Sequence, residues 1–150
     1  PSNHGNLGPI IRSADALGAD GLILTGHGVD LYQPEVITAS MGSFFNLPAI
    51  RMADNDTVFD WIARQRDLHP GFQVIGTTAH KQLNITQVDF RLPTLLMIGN
   101  ETEGLCRAFK EGCDLLATIP MADTSSASSF NVACAATVMM YEVCRQRAQE

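Results

Sequence analysis

Short apolar runs alternate with amphipathic stretches along this chain, the pattern of strands and helices in succession. Residues 9–17 read as a helix, with Pro9 in its first turn and Gly18 behind its last. Residues 21–25 read as a short buried strand running into a Gly26-His27-Gly28 turn, residues 34–41 as a brief helix and residues 49–52 as a further strand. Residues 57–66 set Val58, Trp61 and Ile62 on one face and Asp60, Arg64 and Arg66 elsewhere, which is an amphipathic helix. Two more buried strands follow at 72–76 and 94–98, then a short helix at 104–110 and a last strand at 114–119. Residues 130–147 form the longest helix, apolar on most sides, and its end Arg145-Gln146-Arg147 suits a helix C-terminus. Strands alternating with helices predict an α/β fold, a mostly parallel sheet with helices on both faces.

Composition narrows the class without naming a function. The 150 residues fit one domain, and 45% hydrophobic with 17% charged residues is a globular balance. No apolar run approaches the roughly 20 residues that cross a bilayer, and no basic stretch precedes an apolar core at the start, so neither a membrane span nor a signal peptide is expected. Cysteine usage points to a reduced, cytoplasmic setting. A start at Pro1 rather than Met is what a piece of a longer chain shows. The four cysteines, Cys106, Cys113, Cys134 and Cys144, contain no CxxC pair and do not make a disulfide scaffold. Cys134 and Cys144 fall in the apolar helical pattern and read as small core residues. His4, His27, His69 and His80 lack ligand spacing, so no metal is expected. The net charge of −6 argues against a domain that holds nucleic acid mainly through phosphate contacts.

Three segments carry polar residues that packing alone does not require, and parallel sheets gather ligands beyond the C-terminal ends of their strands. In Asn6-Leu7-Gly8-Pro9-Ile10-Ile11-Arg12, Arg12 is either a solvated residue near a helix start or a guanidinium fork for phosphate, with Asn6 just ahead of the helix. In Ile98-Gly99-Asn100-Glu101-Thr102-Glu103-Gly104-Leu105, the acids either cap a short helix or sit where glycine backbone packs against a ligand. The third segment joins Ile119-Pro120-Met121 to a Ser-rich loop and Ser129-Phe130-Asn131. Its hydroxyls are capping groups in the plainest reading. Asn131, about a turn inside an apolar helix, is a structural bond-maker or a site residue. No GxSxG, P-loop or GxGxxG is present, which removes the usual hydrolase and open-sheet nucleotide fingerprints.

Together the three segments resemble the signature motifs of SpoU/TrmH-type RNA methyltransferases. Asn6-x-Gly8-x-x-x-Arg12 matches the first motif and Gly99-x-Glu101-x-x-Gly104-Leu105 the second. Ile119-Pro120-Met121 with Ser129-Phe130-Asn131, continuing into a small-residue helix as far as Tyr141-Glu142, matches the third. The resemblance covers nearly the whole chain, residues 1–150 as one catalytic domain. It departs from the pattern in a slightly longer Met121–Ser129 loop, in Asp123 where many members have Gly, and in Phe130 where Leu or Met is usual. The resemblance implies a C-terminal trefoil knot, an exception to the rule that chains do not thread themselves. It further implies S-adenosylmethionine cradled by Gly76, Thr77, Gly99, Ile119 and Met121 and closed by Ser129 and Phe130. Arg12, Asn6, Glu101, Ser129 and Asn131 would then act on a ribose 2′-hydroxyl of transfer or ribosomal RNA. A homodimer is implied as well, with the helices at 9–17 and 130–147 as the contact surfaces. A basic module or a dimer groove would supply the RNA affinity that the acidic chain lacks. The alternatives are a knotted enzyme methylating an RNA base, and a non-catalytic RNA- or protein-binding module of the same fold.

Overall fold

Buried side chains recur at helical spacing from the first described turn: Leu7, Ile10, Ile11 and Ala14 all lie inside. A computed structural model describes residues 4–25, 46–80, 83–99 and 104–148. The expected turn at 26–28 and helix at 34–41 lie outside these residues. The first helix, α1, spans His4–Ala16 and so begins earlier than expected, with Pro9 inside it. Proline forfeits one hydrogen bond to the preceding turn, and burial of Leu7 at 1% exposure outweighs that loss.

The strands β1 (Leu22–Thr25) and β2 (Ala49–Met52) pair in parallel as a small sheet. Helix α2 (Asn55–Leu68) follows, opened by the Asp54 carboxylate, which accepts from the Thr57 amide at 2.8 Å. A four-stranded sheet is ordered β4-β6-β3-β5. It comprises β3 (Gln73–Thr77), β4 (Leu83–Asn84), β5 (Thr94–Met97) and β6 (Leu115–Thr118), all paired in parallel. The expected parallel pairing is therefore observed.

Strand β4 escaped the sequence reading, as did the turn of 3₁₀-helix at Ile85–Gln87 held by a capping box between Asn84 and Gln87. A strand of two residues carries no periodicity to detect.

Alternation along β3 divides the core between the two faces of the sheet. Val74 packs with Val58, Ile62, Met97 and Leu105. Its neighbour Ile75 packs with Val88, Phe90, Ala117 and Met139. Helix α2 thus covers one face, together with α3 (Arg107–Gly112), while α4 (Val132–Arg147) covers the other.

Helix α3 starts later than the expected 104–110 because Gly104 has φ +69° and Cys106 is extended, neither compatible with a right-handed helix. Helices α1 and α4 meet where Ile10 packs on Val132, Ala133 and Ala136, and the hydroxyls of Ser13 and Thr137 lie 2.8 Å apart.

Cys134 and Cys144 are exposed rather than core residues. The core-facing stripe of α4 runs through Ala133, Ala136 and Met139, which turns both thiols outward with Val138 and Tyr141. None of the described helices is long and apolar enough to cross a membrane.

Candidate active site

Three adjacent parallel strands, β6, β3 and β5, end side by side, and the segments after them wall a cavity of about 390 Å³. Thr77 ends β3 and Thr78, Ala79 and His80 follow it, Ile98 and Gly99 follow β5, and Thr118 ends β6 with Ile119 and Met121 beyond it. Ser128, Ser129 and Phe130 form the side that leads into α4, and Gly104, Leu105 and Lys110 the side toward α3. This volume lies within the range of small-molecule sites, and the position beyond the strand ends is where open α/β sheets bind ligands.

Gly99 lies so close to the backbone of Gly104 and Leu105 that only glycine fits there. A Cβ on Gly99 would lie 2.1 Å from the Gly104 carbonyl carbon and 2.3 Å from the Leu105 nitrogen. Those neighbours are backbone and cannot swing aside, so the cavity wall here is bare main chain. Gly76 has a different reason. Its Cβ would meet Cys113 Sγ at 2.6 Å and Leu116 Cδ2 at 2.8 Å, so it serves packing beneath the site and does not line the cavity. Burial, aided by the neighbouring Asp114 charge, pushes the Cys113 thiol up to about 11, and its sulfur lies 3.1 Å from the Phe109 carbonyl. The Cys113 side chain packs against Gly76 and the Phe109 carbonyl beneath the cavity.

The sequence-predicted cofactor residues other than Gly76 converge on this one cavity: Thr77, Gly99, Ile119, Met121, Ser129 and Phe130. The catalytic set divides. Asn131 is not inside the helix but caps it, its Oδ1 accepting from the amides of Ala133 at 2.9 Å and Cys134 at 3.3 Å. Its Nδ2 donates to Asn6 Oδ1 at 3.1 Å, joining the first motif to the third. Asn6 accordingly sits in the first turn of α1 rather than ahead of it. Arg12 is exposed, opposite the face that buries Leu7 and Ala14, and does not line the cavity. Glu101 lies outside the described residues. His80, Thr78, Ser128 and Lys110 line the cavity without having been singled out. Position beyond a strand end would have pointed to Thr78 and His80, whereas Lys110 reads from sequence as an ordinary helix cation. Among the described residues no three His, Cys, Asp or Glu side chains are grouped to hold a metal ion.

Residues 1–141 match the family described as SpoU rRNA Methylase. The 23S rRNA (uridine(2479)-2'-O)-methyltransferase of Streptomyces viridochromogenes is 48% identical over 147 residues, which cover 98% of this chain and 50% of that protein. The crystal structure of the SpoU methyltransferase AviRb from the same organism, in complex with AdoMet, superposes with a TM-score of 0.94 at 47% identity, over 100% of this chain and 58% of that one. An AdoMet-bound rRNA methyltransferase from Sinorhizobium meliloti superposes with a TM-score of 0.85 at 37% identity, over 95% of this chain and 52% of that one. The chain thus spans about half the length of these relatives.

Proposed function

The chain belongs to the SpoU rRNA methylase family, and on that premise we propose that it is the catalytic domain of an RNA ribose 2′-O-methyltransferase using S-adenosylmethionine. The observation that carries this reading is the convergence of Thr77, Gly99, Ile119, Met121, Ser129 and Phe130 on one cavity beyond three strand ends. The residues fit the methyl donor. A wall of bare backbone at Gly99 admits close approach of a planar base, and Phe130, 41% exposed at the rim, offers an apolar lid. When bound, the donor supplies an electrophilic methyl group on a sulfonium.

The protein's part is to hold the ribose 2′-oxygen in line at roughly 3 Å and to stabilise charge that develops on it. Arg12 does not serve as the base, because a guanidinium with pKa above about 12 does not give up its proton. Instead Arg12 grips an RNA phosphate and the 2′-oxygen, and the hydroxyl proton leaves to phosphate or water. Its outward position on α1 suits a residue that completes the cavity of a second copy, so we read the assembly as a homodimer joined through α1 and the exposed Val138–Tyr141 side of α4. The Asn6–Asn131 bond ties the helix bearing Arg12 to the cavity rim. Glu101 orients the loop or the guanidinium, and Ser129 the ribose. The reading includes the knotted C-terminal half of the family, a cytoplasmic location, and a further basic segment or the dimer groove for gripping transfer or ribosomal RNA.

The test uses the full-length protein. Calorimetry is expected to show S-adenosylmethionine binding, and mass analysis of nucleosides from treated RNA a methyl on ribose. A methyl on the base would replace this reading with a base methyltransferase, and no donor binding at high micromolar concentration would replace it with a binding module.

A further inference from the structure

From the charge inside the cavity we infer that Lys110 is the residue that selects the amino-acid end of the methyl donor, by pairing with its α-carboxylate. This rests on the donor-binding reading above.

Lys110 lies half-buried on α3 and lines the cavity. Among the described residues its ammonium has no ion pair, although acids stand close by in sequence. Glu111 is taken by Arg107 at 2.8 Å, and Asp114 by Arg66 at 3.2 Å and by the Val74 amide at 2.7 Å. The remaining described wall contains no carboxylate: it is hydroxyls, backbone, apolar side chains and His80. In a chain of net charge −6, Lys110 therefore faces no acid among the described residues of the cavity. A half-buried charge with no partner among the described residues gains from a ligand that supplies the counter-ion.

The ligand's anionic group has two sources, the carboxylate of a small donor or a phosphate of RNA. The half-buried setting favours the small donor, because a structured polynucleotide reaches the mouth of such a cavity more readily than its wall. An ammonium is a compact point charge suited to a single carboxylate.

Calorimetry on the full-length protein and its Lys110→Met variant, which keeps the alkyl stem, tests the assignment. The probes are S-adenosylmethionine, S-adenosylhomocysteine and methylthioadenosine, the last lacking the amino-acid end. Affinity for the first two is expected to fall about tenfold or more, as for a lost hydrogen bond to a charged group. Methylthioadenosine binding is expected to stay unchanged, and Lys110→Arg to recover part of the loss. Equal losses for all three probes overturn the inference, leaving Lys110 a wall residue. Unchanged donor binding with a weaker, less salt-dependent RNA affinity overturns it in favour of a phosphate contact. If the wild-type protein binds none of the three, the donor-binding reading itself fails, separately from the role of Lys110.

Discussion

The two ends of α4 are built in opposite ways. At the C-terminal end the side chains of Glu142, Arg145, Gln146 and Arg147 all bond to the protein. Glu142, 6% exposed, takes two bonds from the Arg145 guanidinium, at 2.7 and 2.8 Å, and one from Gln146 at 3.0 Å. Gln146 accepts from the Phe90 amide at 2.8 Å and donates to the Val88 carbonyl at 2.9 Å. Arg147 donates to the carbonyls of Phe90 and Leu92. These bonds fasten the helix to the segment that carries the fully buried Phe90. At the N-terminal end, Asn131 is committed to its own helix and to Asn6. Ser128, Ser129 and Phe130 beside it face the cavity, with Lys110 across the same space. Buried polar groups in folded proteins find partners. The first end finds them internally and stabilises the fold, whereas Ser128 and Ser129 at the second are exposed along the cavity wall.

The largest effect that bears on this contrast lies on α1. Arg12→Ala is expected to lower turnover at least a hundredfold, the loss typical of removing one preorganised charge donor, while calorimetric affinity for S-adenosylmethionine stays within error. Near-normal turnover would remove Arg12 from the chemistry. Arg12→Lys then separates charge from shape, and full activity there would show that the planar fork is not needed.

A pair of substitutions separates the two ends directly. Gln146→Leu strips the partners from the Phe90 amide and the Val88 carbonyl and is expected to cost about 2 kcal/mol by denaturant titration. Its donor affinity should stay as in the wild type. Asn131→Ala removes a helix cap, worth about 1 kcal/mol, and also releases Asn6, so it is expected to lower turnover by far more than its smaller stability loss accounts for. If the two variants lose activity in proportion to stability, the ends do not differ in function.

Much of this arrangement was legible in the residues. The alternating pattern located β1, β2, β3, β5 and β6, because buried strands write continuous apolar runs, and two of the three short motifs located the cavity because they follow β5 and β6, whereas the first lies on α1 and does not line it. What escaped is physical in each case. Asn131 was placed inside the helix because periodicity does not register that an amide prefers to cap it. Pro9 suggested a helix start that burial of Leu7 moved to His4. Cys134 and Cys144 share the apolar character of α4, and only its orientation against α1 and the sheet shows that they face outward. Lys110 gave no signal, since a lone lysine on a short helix differs from a solvated one only by the space in front of it.

The smallest effect concerns pH and belongs to the C-terminal end alone. Hydrogen bonds from Arg145 hold the Glu142 carboxyl below the usual glutamate range, with Gln146 adding to them and burial opposing. A carboxyl depressed in the folded state stabilises that state above its unfolded value, and the contribution is lost as pH falls through the lowered folded value. Wild-type protein is therefore expected to exceed Glu142→Gln in stability at neutral pH, with the difference shrinking in acid. Asp54 and Asp89 are also held low, by Thr57 and Arg91 respectively, but they are present in both proteins and cancel in the difference. A stability gap that persists unchanged into strong acid would mean that shape, not charge, seats Glu142. Donor affinity should not follow the gap at any pH, because the cavity lies at the other end of the helix, and a parallel loss would show that the two ends act as one unit.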